Sequence, residues 1–175
     1  MKANVKNLKV NHPNLVTLLS LTMMLIFIVP EIADAQTGKA NFSGKWALNE
    51  EKSTLGQGRQ MFGGGDMIVK QEANLLTVER TFSGRDGQSR TMASKYSLDG
   101  KETVNTMGNF DSKTTANWSD DGKSLTIVTK FSFNGNERSS TEVWNLSDAK
   151  TLSITSTRQG RDGEEVKTTS IYDKE

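Results

Sequence analysis

The chain has 175 residues, with 22 Lys or Arg against 21 Asp or Glu, a single His, two Pro and no Cys. His12, Pro13 and Pro30 all fall within the first 35 residues, so residues 36–175 contain no His, Cys or Pro and carry nineteen basic and nineteen acidic side chains. That composition excludes Ser-His-Asp and Cys-His nucleophiles, the usual zinc sites, disulfides, and the basic footprint that nucleic acid or an anionic membrane requires.

The first 35 residues read as an export signal. Lys2, Lys6 and Lys9 form a basic start, Leu15 to Val29 is an uncharged, mostly apolar run, and Ala33-Asp34-Ala35 supplies the small-x-small pattern of a cleavage site. As a helix that run spans about 22 Å, short of a hydrocarbon core of about 30 Å, so no stable membrane anchor is expected. Without a cysteine after the run, lipid attachment is closed as well. The expectation is a periplasmic or secreted protein cleaved after Ala35, with a short tail over 36–41 and one domain over 42–175.

That domain is lean. Only 39 of the 140 residues after Ala35 are apolar, while Ser and Thr number 33, so the interior is either incompletely filled and polar-lined, or a thin sheet completed by a partner. Threonine in quantity favours strands over disorder.

Phe42 to Leu48 alternates as a first strand. Asn49 to Asp66 is irregular and glycine-rich, and reads as a long loop with one helical turn near Glu50 to Ser53. Its Gly63-Gly64-Gly65 lacks the Gly-Lys-Ser/Thr ending of a phosphate loop. Further strands are predicted at 67–73, 75–83, 88–98, 101–107, 110–119, 123–133, 137–147, 150–158 and 164–173. Asp86-Gly87, Asp99-Gly100, Asp121-Gly122, Asn134-Gly135 and Asp162-Gly163 punctuate them, and such pairs tolerate the positive φ of tight hairpins. Asp120-Asp121-Gly122 is thus a turn, since no acidic residue follows at calcium-loop spacing. Leu76-Thr77-Val78, Leu125-Thr126-Ile127 and Leu152-Ser153-Ile154 repeat one hairpin unit, each followed by an aromatic (Tyr96, Trp144, Tyr172) in the returning strand. The fold class is all-β: an antiparallel up-and-down meander closed into a small barrel of about 8–10 strands, because an open sheet would leave two exposed edges.

Period-two alternation assigns the faces. Leu76, Val78, Arg80 and Phe82 share one with Tyr96, Ala116, Trp118, Ile127, Glu142, Trp144 and Tyr172. Small or hydroxyl residues (Ser94, Ser112, Thr114, Thr168, Ser170) stand mid-strand on that face, which leaves room for a ligand unless opposite aromatics fill it in a flattened barrel. Arg80, Arg90, Arg158 and Glu142 fall there too. They form either a site for an anionic head group, or an arrangement in which Glu142 neutralises one arginine and the others reach a rim.

Gly44-Lys45-Trp46 resembles the Gly-x-Trp signature of lipocalins and fatty-acid-binding proteins, and Asn49 to Ser53 is similar to the opening of secreted bacterial lipocalin-like domains. The resemblance implies a barrel in which Gly44 and Trp46 close one end, with Arg158 as the arginine that meets the Trp. The second lipocalin motif, a disulfide and a helical lid are absent from the sequence.

Two functions are consistent with these features. One is a non-enzymatic carrier of a small, partly apolar molecule, lined by Tyr96, Trp118 and Trp144, with Arg80 or Arg90 orienting a polar end and Glu142 beside them. The other is a filled-core module that binds an envelope protein or surface polymer through the 54–66 loop. No catalytic residue, metal or cofactor is implied, since no carboxylate pair has the spacing for acid-base work.

Overall fold

The computed structural model describes residues 38–55, 65–83, 87–107, 110–133, 135–160 and 163–175. The proposed signal, Gln36 and Thr37 of the tail, the centre of the glycine-rich loop, and Asp86, Asn134 and Asp162 of the turns lie outside the described residues. Ten strands follow in order: β1 Gly44–Thr54, β2 Asp66–Gln71, β3 Leu75–Ser83, β4 Ser89–Ser97, β5 Thr103–Met107, β6 Phe110–Trp118, β7 Ser124–Phe133, β8 Asn136–Asp148, β9 Thr151–Gln159 and β10 Glu165–Lys174. Every pairing is antiparallel, and the sheet order runs β4-β3-β2-β1-β10-β9-β8-β7-β6-β5. The two ends of the chain's strand series therefore meet at β1 and β10, as a meander must if it is to roll up.

The ends of the sheet order, β4 and β5, are consecutive in the chain and joined by side chains. Asn105 substitutes for a ladder residue: its Oδ1 accepts the Lys95 N–H at 2.7 Å and its Nδ2 donates to the Lys95 carbonyl at 2.9 Å. Thr103 Oγ1 accepts the Ser97 N–H at 3.1 Å one pair further down. This seam makes the barrel nearly closed, with the edge groups of β4 satisfied locally by an amide rather than by a peptide.

The predicted strands and faces agree with the observed ones from β2 onward; β1 differs. The expected loop and helical turn over 49–54 is instead strand with a bulge, in which Asn49 pairs with Ile171 and Thr54 with Thr169. The extra residues curl locally, with Asn49 Oδ1 accepting the Lys52 N–H and Ser53 Oγ donating to the Asn49 carbonyl. The Ile171 N–H then closes on Ser53 Oγ at 2.8 Å, so a hydroxyl carries the ladder across the irregularity.

The core occupies one end of the barrel. Leu76, Val78, Leu98, Leu125, Ile127, Leu152 and Ile154 are buried there, together with Trp46, Met67, Val69, Trp144 and Tyr172. The segment before β1 crosses this end and is tied down at three points. The Ala40 N–H donates to Gly122 O at 2.8 Å, Gln71 Nε2 donates to Ala40 O at 2.9 Å, and the Phe42 N–H donates to Gln71 Oε1 at 2.9 Å. Gly122 lies at φ 69°, and a Cβ there would stand 2.8 Å from Gly38 O, so the Asp121-Gly122 turn has to be glycine for the segment to pass.

Candidate functional site

Phe42 is the stopper of the closed end. Its ring is fully buried, stacks on Trp118 at 5.7 Å with an interplanar angle of 7°, and meets Trp144 edge-on at 5.7 Å. Trp46 packs beside it, with Nε1 donating to Phe42 O at 2.9 Å. Gly44 and Trp46 stand at this end, and the cation over Trp46 is Lys174, whose Nζ is 5.3 Å from the ring centroid, and not Arg158. The register explains the correction. Lys174 pairs with Trp46, whereas Arg158 pairs with Val166, eight residues back along β10 and about 27 Å away. Gly44, at φ 149°, leaves room for that lysine, since a Cβ would lie 2.6 Å from Lys174 Cε.

Above the stopper lies a polar layer. Arg80 on β3 and Glu142 on β8 form a bidentate pair across the barrel, with Nη1 to Oε1 at 3.1 Å and Nη2 to Oε2 at 3.0 Å. Their side chains are only 17% and 16% exposed, and Trp144 Nε1 donates a further bond to Glu142 Oε2 at 2.9 Å. Arg80 also lies over the Trp144 ring at 5.7 Å. Burial alone would raise the Glu142 pKa, but the Arg80 charge and the hydrogen bonds from Arg80 and Trp144 outweigh it and hold the carboxyl below its usual range. Burial likewise opposes the charge on Arg80, yet Glu142 raises its pKa further above the ordinary arginine value. Tyr96 and Tyr172 face the same layer, and burial raises both phenols despite the opposing field of Arg80.

Beyond this layer the inner wall changes character. Phe82, Met92, Thr129, Phe131, Ser156 and Thr168 continue the inward-facing rows, yet each is only half-buried. These rows are therefore less completely covered than those at the stopper, with Ser112 and Thr114 of β6 the buried exceptions.

Six residues were expected to line a ligand site, and the structure separates them into three levels. Trp118 belongs to the stopper, stacked on Phe42, with its Nε1 buried and lacking a hydrogen-bond partner. Arg80, Glu142, Trp144 and Tyr96 meet in the polar layer, where the Arg80 fork is engaged by Glu142. Arg90 stands exposed at the mouth. Sequence reasoning missed Phe42 as a plug and Asn105 as a seam. Phe42 is preceded by Ala40 and followed by Trp46, and that apolar spacing does not reveal a chain crossing a barrel end. The signal for Asn105 was an isolated amide on an inward-facing row.

The fold is similar to that of the fluorescent protein UnaG. The wild-type crystal structure of that protein superposes with a TM-score of 0.51 at 18% identity, covering 77% of this chain and 97% of that one. A point variant of the same protein gives a TM-score of 0.50 at 18% identity, with 77% and 96% covered. No family model and no curated protein matches the sequence. At that identity the likeness establishes a barrel fold similar to that of UnaG and nothing finer.

Proposed function

We propose that the protein is an exported, non-enzymatic barrel that binds a small, partly apolar molecule in its accessible half. The observation that carries this reading is the gradient along the inner wall. On β3, β4, β7, β9 and β10 the inward-facing side chains beyond the polar layer are half-buried or exposed where those nearer the stopper are mostly buried, while Ser112 and Thr114 of β6 stay buried at the same level. A chamber bounded by those rows, apolar in Phe82, Met92 and Phe131 and hydroxylated in Thr129, Ser156 and Thr168, suits a ligand of mixed polarity. Likeness to the UnaG barrel is compatible with this reading through the fold alone. Export rests on the basic start, apolar run and Ala33-Asp34-Ala35 of the first 35 residues.

Native mass spectrometry of the protein purified from its own cell envelope tests both halves of the proposal. The expected species begins at Gln36 and carries a co-purifying small molecule that dissociates on activation. A chain retaining residues 1–35 would overturn export. A bare chain, together with tryptophan emission unchanged by any lipophile in a panel spanning fatty acids, retinoids and tetrapyrroles, would overturn the carrier.

A further inference from the structure

From β2 to β9 the strands segregate their cations by type. All four arginines among the described residues, Arg80, Arg90, Arg138 and Arg158, fall on inward-facing rows by alternation. The lysines of β2 to β9, Lys70, Lys95, Lys113 and Lys130, fall on the outward rows. Between Asp66 and Leu146 Glu142 is the only acidic residue on the inward rows of the described strands, and Arg80 holds it. The chamber wall above the polar layer therefore carries positive charge, although residues 36–175 as a whole carry none in sum.

Arg138 and Arg158 are neighbours at the mouth. Arg158 pairs with Ser140, two residues from Arg138 on the same face of β8, a diagonal cross-strand spacing of roughly 7 Å. Among the described residues neither has a carboxylate partner. Two like charges placed diagonally repel, so the pair is a cost to the unliganded fold that a shared anion would remove. Arginine in place of lysine at both positions favours an oxoanion, because two planar forks can each bind it through paired N–H donors.

We infer that Arg138 and Arg158 capture the oxoanion end of an amphiphile whose apolar body lies in the chamber against Phe82, Met92 and Phe131. The inference rests on the carrier reading and specifies its ligand class. It also sets the ligand's orientation, charged end outward, because the Arg80 fork below is already filled by Glu142. Four residues of β8 separate Arg138 from Glu142, about 14 Å along the strand and roughly 10 Å of depth once strand tilt is included, so the apolar body is short.

The test compares decanoate, decyl phosphate and decanol by calorimetry and tryptophan emission, on the full barrel and on the double variant R138Q/R158Q, with circular dichroism confirming that both are folded. The expected result is that at least one of the anions binds about tenfold or more tighter than decanol, and that the preference falls to about twofold or less in the double variant while decanol affinity stays unchanged. The stronger anion identifies the head group as carboxylate or phosphate. The single variant R158K, which keeps the charge and loses the fork, should retain only part of the preference. Equal binding of decanol and both anions overturns this inference and leaves the carrier standing. Anion preference that survives in the double variant also overturns it. Binding of none of the three by the intact protein removes the inference together with the carrier reading.

Discussion

At the closed end of the barrel the inward rows carry Leu76, Leu125 and Leu152 and are sealed by Phe42; at the open end the same rows carry Phe82, Thr129 and Arg158 and stay within reach of water. Both ends obey one alternation, on the same strands, with the same hairpin turns. They differ in what crosses them. Residues 38–43 lie over the closed end and complete its packing, and no described segment packs into the rows of the other. Buried apolar packing is accordingly concentrated in one half, and the other half is less completely covered. The Arg80–Glu142 pair marks the boundary between them.

The boundary is where the comparison breaks most easily. Glu142→Leu leaves the Arg80 guanidinium buried without its carboxylate, and the expected loss is about 3–5 kcal/mol in urea unfolding. The double variant R80M/E142L removes both charges and should recover to within about 1–2 kcal/mol of the parent. Acid separates the two further. The Glu142 pKa is lowered in the folded protein, so its contribution is complete above the unfolded glutamate value of about 4.3 and is lost as pH falls below it towards the folded value. Between about pH 5 and pH 3 the parent should therefore lose melting temperature faster than the double variant. Parallel curves would mean that the pair contributes nothing to the pH dependence.

The next test weighs the two ends directly. Leu152 is fully buried beside Tyr172, and Leu152→Ala should cost about 3 kcal/mol through lost transfer energy and the cavity left behind. Met92 lies on the inward row of β4 but is half-exposed, so Met92→Ala should cost about 1 kcal/mol or less. Equal losses at the two sites would mean that the upper rows are as tightly packed as the lower ones and that no chamber separates them.

Much of this is legible in the sequence. The Asp-Gly and Asn-Gly pairs mark five of the seven connections from β3 to β10 because positive φ confines their glycines to turns, and alternation then assigns Arg80 and Glu142 to one face although they are 62 residues apart. Which arginine meets Glu142 was not legible, because it depends on barrel curvature and strand stagger. The bulge in β1 was hidden for a different reason: residues that curl between Asn49 and Thr54 break the period that identifies a strand. The misplaced partner of Trp46 was avoidable. Antiparallel strands reverse direction at each turn, so the start of β1 adjoins the end of β10, where Lys174 stands, and not the end of β9, where Arg158 stands.

The smallest effect is expected at the mouth. Arg158→Gln removes a half-buried guanidinium that has no carboxylate partner among the described residues and a like charge as its diagonal neighbour. Nothing in the packing below depends on it, so the change in unfolding free energy should stay within about 0.5 kcal/mol, and any departure should be towards greater stability as repulsion with Arg138 is relieved. Raising the salt concentration should shrink even that difference, since charges at the mouth are screened where the Arg80–Glu142 pair is not. A loss of about 2 kcal/mol or more would show that Arg158 holds the barrel together, and would place the upper rows with the lower ones as part of a single structural core.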